Sequence, residues 1–479
     1  MASVSFGPRG RVLGAATTRG GSAADASAPA AAYVCVRARR SDKVRDGVSV
    51  AQTASDVLIA ESIDGAYPPA RIVRDQIITG ADVSGDRVLV WNSREAEVLV
   101  RSVDGRRVSY RTVARFDAGA GGASGALAIL GEHVFRAGKN HASLEILSAA
   151  DGRVVGAVPH DHQSLGRVER LDAANDALAL TTSGGAMRLF RVSGDAAASG
   201  GSILKALGPP AGVRVLGAGD RGPAGLPLDV AIAEARVNAD GSTAALVFET
   251  PGSGRGCGVL AAYDVAKDRW ATFDFERRLG RVPERLAWDA DAPSLLGVQT
   301  RRGRRTLRDD FEGAGDGFEG EARREGSGAS CVVYTLFAGT SAAAEGSSGS
   351  SGSSDPSAAE EASSSPGGAW LSLQETHPVP AGFDALLGVK VPSLFVRSVA
   401  PSSDSGGACF GVTMRDFLGM ERASPDVLAA LLGFNRLLAS GDADAAFDAV
   451  RHVDDPAVWE CMTHAVSYTH LTLPTILRV

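Results

Sequence analysis

A turn that runs directly into an apolar strand recurs along this chain, and that recurrence restricts the possible folds more than any other feature. It is seen in "DVSGDRVLVW" (82–91), "AILGEHVFRAG" (128–138), "LDAANDALALTT" (171–182) and "ARVNADGSTAALVF" (235–248), with a fifth copy in "AWDADAPSLLGVQT" (287–300). Each copy carries an acidic residue in its turn: Asp86, Glu132, Asp176, Asp240 and Asp291. The spacings are 46, 44, 64 and 51 residues. The first two match a four-stranded propeller blade, whose period is about 40–45 residues. The third interval holds "GPPAGVRVLGAGDRGPAGLP" (208–227), whose glycines and prolines suit a loop insertion.

A second marker follows. "VRSVDGRRV" (100–108), "ILSAADGRVV" (146–155) and "LFRVSGDAA" (189–197) read as strand–turn units, two of them with Asp-Gly, the strongest short hairpin signal. "LAAYDVAKDRWATFDF" (260–275) repeats the theme without glycine. Five blades are marked in this way. "YVCVR" (33–37), "DVLIA" (56–60), "CVVYTLF" (331–337) and "SLFVR" (393–397) supply strands for a sixth or seventh. One four-stranded sheet cannot bury both its faces, so such units pack radially and leave only short edges. The expectation is a mainly β, WD-repeat-like propeller of six or seven four-stranded blades, favoured over a β-sandwich by the recurrence near 45 residues. Signature dipeptides do not carry it. The one Trp-Asp pair, Trp288-Asp289, precedes a turn instead of ending a strand.

Composition narrows the partners. Aromatics are 6% of residues and glycine is 58 of 479, so the core must be built from Ala, Val and Leu. The formal net charge of −7 argues against nucleic acid or an anionic membrane as the main partner, because phosphate binding needs concentrated Lys and Arg. "RRGRR" (301–305) is a local exception; next to acidic "DDFEG" it reads as a solvated loop. Cys35, Cys257, Cys331, Cys409 and Cys461 are scattered and odd in number, which suits neither structural zinc nor a disulfide framework and fits a reducing compartment. No apolar run approaches the roughly 18 residues of a membrane span. Residues 1–32 are rich in Ser, Ala and Arg, as a transit peptide is, but lack a strong amphipathic pattern; they read as a disordered or non-native lead.

Residues 33–413 form the expected propeller, interrupted at 338–368 by a Ser-, Gly- and Ala-rich stretch too poor in large apolar residues to offset its ordering entropy. From Ser424 the period changes. "SPDVLAALLGFNRLLASG" begins with Ser424 as N-cap and Pro425 at the first helical position, and Val427, Leu428, Leu431, Leu432, Phe434, Leu437 and Leu438 form an apolar face. Gly441 ends that helix. Asp442 caps a second one carrying Ala445, Phe447 and Val450, and Asp455-Pro456 opens a third with Val458, Trp459 and Met462. Short helices joined by two or three residues are αα-hairpins, the unit of tetratricopeptide-like solenoids. Residues 414–466 thus read as a junction and the start of a solenoid, of which about three repeats are needed for stability. The expectation is that more helices follow natively and that "SYTHLTLPTILRV" (467–479) is translated cloning or adapter sequence.

The block "MRDFLGMERASPDVLAALLGFNRLLASGDADAAFDAVRHVDDPAVWECM" (414–462) is similar to the propeller–solenoid junction of the 140-kDa subunit of intraflagellar transport complex A, where an Arg-Asp-Phe-hydrophobic-Gly motif precedes the helices. "LLGVKVPSLFV" (386–396), "LAAYDVAKDRWATFDF" (260–275) and "DQIITGADVSGDRVLVWNSREAEVLV" (75–100) support the resemblance, which covers roughly residues 75–466 in the family's order. Members of that family carry a further propeller before this one and a long solenoid after it. The resemblance implies a non-enzymatic scaffold without cofactors. Its implied partners are the other complex A subunits and, indirectly, dynein and ciliary membrane cargo, with a location in the cilium, at its base and in the cytoplasm.

Motifs that mimic enzyme sites do not hold together. "GAGDRG" (Gly217 to Gly222) fits G-x-G-x-x-G, but Pro223, Gly225 and Pro227 prevent the helix whose N-terminal amides would hold a pyrophosphate. His160 and His162 lack a third ligand nearby. Gly138-Lys139 is followed by Asn140 where a P-loop needs Ser or Thr, and no G-x-S-x-G elbow occurs. No catalytic, cofactor-binding or metal-ligating set is expected. Two rivals stay open: a vesicle-coat or nuclear-pore subunit, which also joins propeller to solenoid, and an enzyme using the propeller's central funnel.

Overall fold

The computed structural model describes residues 3–6, 12–16 and 42–453, apart from 106, 121–125, 175, 194–201, 210–211, 217–221, 228, 252–254, 304–330, 341–368, 381, 399–407 and 441; Pro456 and Trp459 are also described. Ser3–Phe6 and Val12–Ala16 pair with each other as a small hairpin. Among the described residues from Asp42 onward, seven antiparallel sheets follow one another in chain order. Their innermost strands are Asp42–Arg45, Gly80–Ser84, Leu127–Leu130, Val168–Ala174, Ala231–Val237, Arg281–Trp288 and Phe383–Lys390. Each innermost strand touches the next, and the last touches the first. The ring is closed, and the blade number left open between six and seven is seven.

Turn chemistry explains most of the boundaries. Asp86, Glu132, Asp176, Asp240 and Asp291 all fall in the turn between the first and second strand of blades two to six. The Asp-Gly pairs 104–105 and 151–152 connect third to fourth strands, with both glycines at positive φ (56° and 75°), a region open to Gly at little steric cost. The equivalent turns of blades one and seven, at Asp46-Gly47 and after Lys390, were not singled out by the spacing.

Second strands are sandwiched between neighbouring blades and read as near-continuous apolar runs; Ala177–Thr182 is buried at every position. Fourth strands face solvent on one side and alternate, as in Val154–Pro159. Hydrophobic clusters therefore lie between blades. Val50, Leu58, Val83 and Val90 join blades one and two, and Ala245, Leu260, Phe275 and Leu296 join five and six. The fourth blade gains a fifth strand, Val213–Arg214, from the Gly/Pro-rich segment read as a loop. The seventh blade holds three strands among the described residues, ending with Cys409–Thr413. In the sixth blade the third strand continues to Thr340, so the Ser-rich segment begins three residues later than its composition suggests. Two long connections join strands within this blade, 303–330 and 341–368.

Among the described residues four helices decorate the ring: α1 (His162–Leu165), α2 (Phe275–Leu279), α3 (Pro425–Ala439) and α4 (Ala443–Val450). Ser424 caps α3 by accepting from Val427 N, and Asp442 caps α4 through Ala445 N (3.0 Å). Leu431, Leu432 and Phe434 of α3 are buried as their spacing requires. In α4 the buried residues are Ala446 and Val450, whereas Phe447 points outward and its ring lies 6.2 Å from that of Trp459. The described residues hold this one helical pair; of the third helix expected from Asp455-Pro456, Pro456 and Trp459 are described and helical, whereas Asp455, Val458, Met462 and the tail 467–479 lie outside the described residues.

Candidate functional site

Two polar clusters stand out against this apolar frame. The first occupies the central channel. Arg45, at the end of the first innermost strand, is 8% exposed and reaches across to three other blades. Its Nη1 donates to Ala173 O (2.7 Å), its Nη2 to Ile129 O (2.7 Å) and Asp82 Oδ1 (2.9 Å), and its Nε to Val83 O. Asp82 is fully buried and also accepts from the amides of Ile129 and Val83, both at 2.9 Å. Arg236 donates to Glu234 (2.7 Å) and to Asp172 on the neighbouring blade. Burial alone would lower the Arg236 pKa, but Asp172 and Glu234 outweigh it and hold the guanidinium above its ordinary range.

Beyond Arg45 the channel widens into a cavity of about 340 Å³ lined by Asp46, Asp172, Arg236, Asp289 and Lys390, among others. Asp289 is almost fully buried. It accepts from the amides of Asp291 and Ala292 (both 2.8 Å) and of Val391 (2.7 Å), and so fastens blade six to blade seven. Burial raises its pKa against the opposing pull of those amides. The Trp288 indole donates to Arg236 O (2.9 Å) on blade five. The Trp-Asp pair is therefore an inter-blade clamp. Among its described lining residues the cavity has carboxylates and cations but no Ser, Cys or His. Arg45 has committed its donors to four acceptors, so the cavity floor is a fixed structural charge.

The second cluster joins ring to helices. The 3₁₀ turn Arg415–Phe417 and α3 pack on blades six and seven, with Met414, Phe417 and Met420 buried beside Phe337, Leu386 and Leu394. Set into this apolar seam are Glu375 and His377 of the sixth blade's outer strand. Glu375 accepts from Arg415 N (3.0 Å) and Asp416 N (3.4 Å). Asp416 accepts from Gln374 Nε2 (3.0 Å) and Asn435 Nδ2 (3.1 Å). Burial first, and then the charge of Asp416, push Glu375 up to about 8, while burial lowers His377 to about 4. Asp416 is raised by burial as well. Sequence reasoning located the Arg415-Asp416-Phe417 motif but not its partners Gln374, Glu375 and Asn435; Asn435, a buried polar residue on the apolar face of α3, was the available signal.

Two of the enzyme-like motifs take part in turns and connections of the ring. His160 is buried, with Nε2 2.9 Å from Gly166 O, and Asp161 caps α1 in the connection between blades three and four. Gly138 and Lys139 form a hairpin turn in which Lys139 meets Asp117 (3.0 Å). Gly217 to Arg221 lie outside the described residues, and Gly222–Pro227 is not helical. Of "RRGRR", Arg301 and Arg302 end a strand instead of lying in a loop; Arg301 pairs with Glu284 (3.1 Å), and Arg304 and Arg305 are outside the described residues. No group of three or more metal-ligating side chains occurs among the described residues. Cys409, at the seam of the first and last blades, has its thiol pushed up to about 12 by burial and then by the charge of Glu61.

This architecture defines a seven-bladed β-propeller with a helical pair docked on its last two blades. No family model matches the chain. Among solved structures it is similar to the RRP9 WD40 repeats, at 11% identity and a TM-score of 0.42, over 79% of this chain and 95% of that one. It is also similar to the Cps50 (Swd1) β-propeller domain of Myceliophteria thermophila, at 10% and 0.38 over 54% and 78%. A third is hydrazine synthase of Kuenenia stuttgartiensis, at 9% and 0.35 over 55% and 74%. Likeness at this level adds nothing to what the strand pairing already establishes, and the three differ too much in kind to speak for a function.

Proposed function

We propose that the protein is a non-enzymatic scaffold subunit of intraflagellar transport complex A, acting through protein–protein contacts. In this reading it works beside the other complex A subunits, supports dynein-driven retrograde transport and the entry of membrane proteins into cilia, and resides in the cilium, at its base and in the cytoplasm. The observation that carries the reading is the junction. The "MRDFLGM" segment (414–420), which resembles that family's handover from propeller to solenoid, is the segment that packs α3 against the ring, through Met414, Phe417 and Met420. A channel whose central arginine is consumed by structural hydrogen bonds supports a scaffold better than a funnel enzyme.

The helical pair is read here as the opening of a tetratricopeptide-like solenoid. The same handover fits a vesicle-coat or nuclear-pore subunit, and location separates the two. The test is co-purification of the tagged full chain from ciliated cells together with its imaging. Recovery of complex A subunits and signal at the ciliary base are expected. Golgi or nuclear-envelope signal with no complex A subunit recovered would overturn the assignment.

A further inference from the structure

Two arginine-rich stretches far apart in sequence, "FERRLGR" (275–281) and "RRG" (301–303), meet at the boundary of blades five and six. Gly303 N donates to Gly280 O (2.9 Å), and Arg281 and Arg302 stand directly opposite each other on paired strands. Like charges in that register repel. Arg281 is 7% exposed, yet no described carboxylate pairs with it. Nε donates to Thr300 Oγ1 (2.8 Å) and Nη2 lies 3.5 Å from Thr300 O. A guanidinium taken out of water normally requires a counter-charge. Burial lowers its pKa, opposed by Tyr334 and Cys331, with the charge of Arg302 a smaller push in the same direction as burial. Arg302 is exposed opposite it and Arg277 is exposed on the preceding helix α2, neither with an ion-pair partner among the described residues, and Arg278 lies over the Phe273 ring (4.9 Å). The corner's three described carboxylates do not serve Arg281: Asp274 caps α2 at Arg277 N (2.8 Å), Glu284 is taken by Arg301, and Glu276 lies beside Gly258 and Gly303.

The geometry points to an anion-recognition site at this corner, built on the recessed Arg281 with Arg302 and Arg277 at its rim, for a phosphorylated Ser or Thr side chain of a partner protein. One recessed guanidinium with flanking cations matches a compact dianion, to which Arg offers paired donors in a rigid fork. A nucleic-acid strand would require a cationic groove along the backbone with stacking aromatics, and none of the exposed large hydrophobic residues that could enter a lipid surface lies on 275–303. The site is independent of the complex A assignment and stands or falls separately from it.

The test uses the full chain and a fluorescent degenerate peptide pool with one central phosphoserine, compared with the unphosphorylated pool. Vesicles of phosphatidylcholine with and without a phosphatidylinositol phosphate form a separate arm. Saturable binding of the phosphorylated pool alone is expected, displaced by inorganic phosphate and weakened at least about tenfold by Arg302→Glu or Arg277→Glu. Both substitutions are on the surface, and an unchanged melting temperature will show that the fold persists. Binding that ignores the phosphate or the two substitutions, or that occurs only on vesicles, overturns the proposal. So does phosphopeptide binding that appears only when 304–330 is replaced by a short Gly-Ser linker, since the chain's own acidic stretch would then be the occupant.

Discussion

Arg45 shows how much of this ring depends on single residues. Its guanidinium ties blade one to blades two, three and four, and its partners lie 37, 84 and 128 positions away in sequence. That distance explains why composition and spacing gave no hint of it: a local pattern cannot display a contact made across a channel. Replacing Arg45 with Leu leaves Asp82 buried without its counter-charge, and the expected loss is about 3–5 kcal/mol, read from the urea midpoint. The Glu375 cluster makes a second prediction. With its carboxyl held up to about 8 against an ordinary 4.5, the folded chain keeps a proton that the unfolded chain releases, so stability falls as pH rises across that interval. His377, lowered to about 4 from 6.5, acts in the opposite sense below 6.5, because there the unfolded chain binds the extra proton. Arg415, Asp416, Gln374 and Asn435 complete the surroundings of the pair. The net expectation is a loss of up to about 2 kcal/mol between pH 6.5 and 8, flattened by Glu375→Gln and measured by urea unfolding at the two pH values.

At the level of strands and helices the chain announced itself well, because turns and caps are local chemistry. Five acidic turns and two Asp-Gly pairs placed most of blades two to six, and Ser424-Pro425 and Asp442 placed both helix starts. The seventh blade was harder to read, since its first turn, at Lys390–Pro392, carries neither Asp nor Gly. Phe447, one of the apolar residues the second helix carries, stays exposed because α4 spans only two turns and its buried stripe is Ala446 and Val450. Gly433 offers a clean test of the helical pair. It sits inside α3, and an added Cβ would meet nothing within 4 Å, so Gly433→Ala should stabilise the helix by about 0.5–1 kcal/mol. Slower amide exchange across Pro425–Ala439 would register the gain.

For the molecule as a whole, closure is the governing event. A Cβ on Gly388 of the last blade would lie 2.7 Å from the Val44 side chain of the first, while Glu61 accepts from the Cys409 amide (2.5 Å) on the same seam. Gly388→Ala should therefore strain the seam by about 1–3 kcal/mol, visible as a lower melting temperature, in contrast to the gain at Gly433. The spacing pointed to a ring but left its blade number open, since the end blades lack the repeated marker that closure supplies in space. The sixth blade carries both long connections, 303–330 and 341–368, within a sheet whose four strands remain paired in order. Closing a loop becomes costlier only with the logarithm of its length, by about 0.6 kcal/mol per doubling. Evolution and engineers alike can therefore splice a whole reporter or binding module between Thr340 and Ala369, and the ring will carry the passenger.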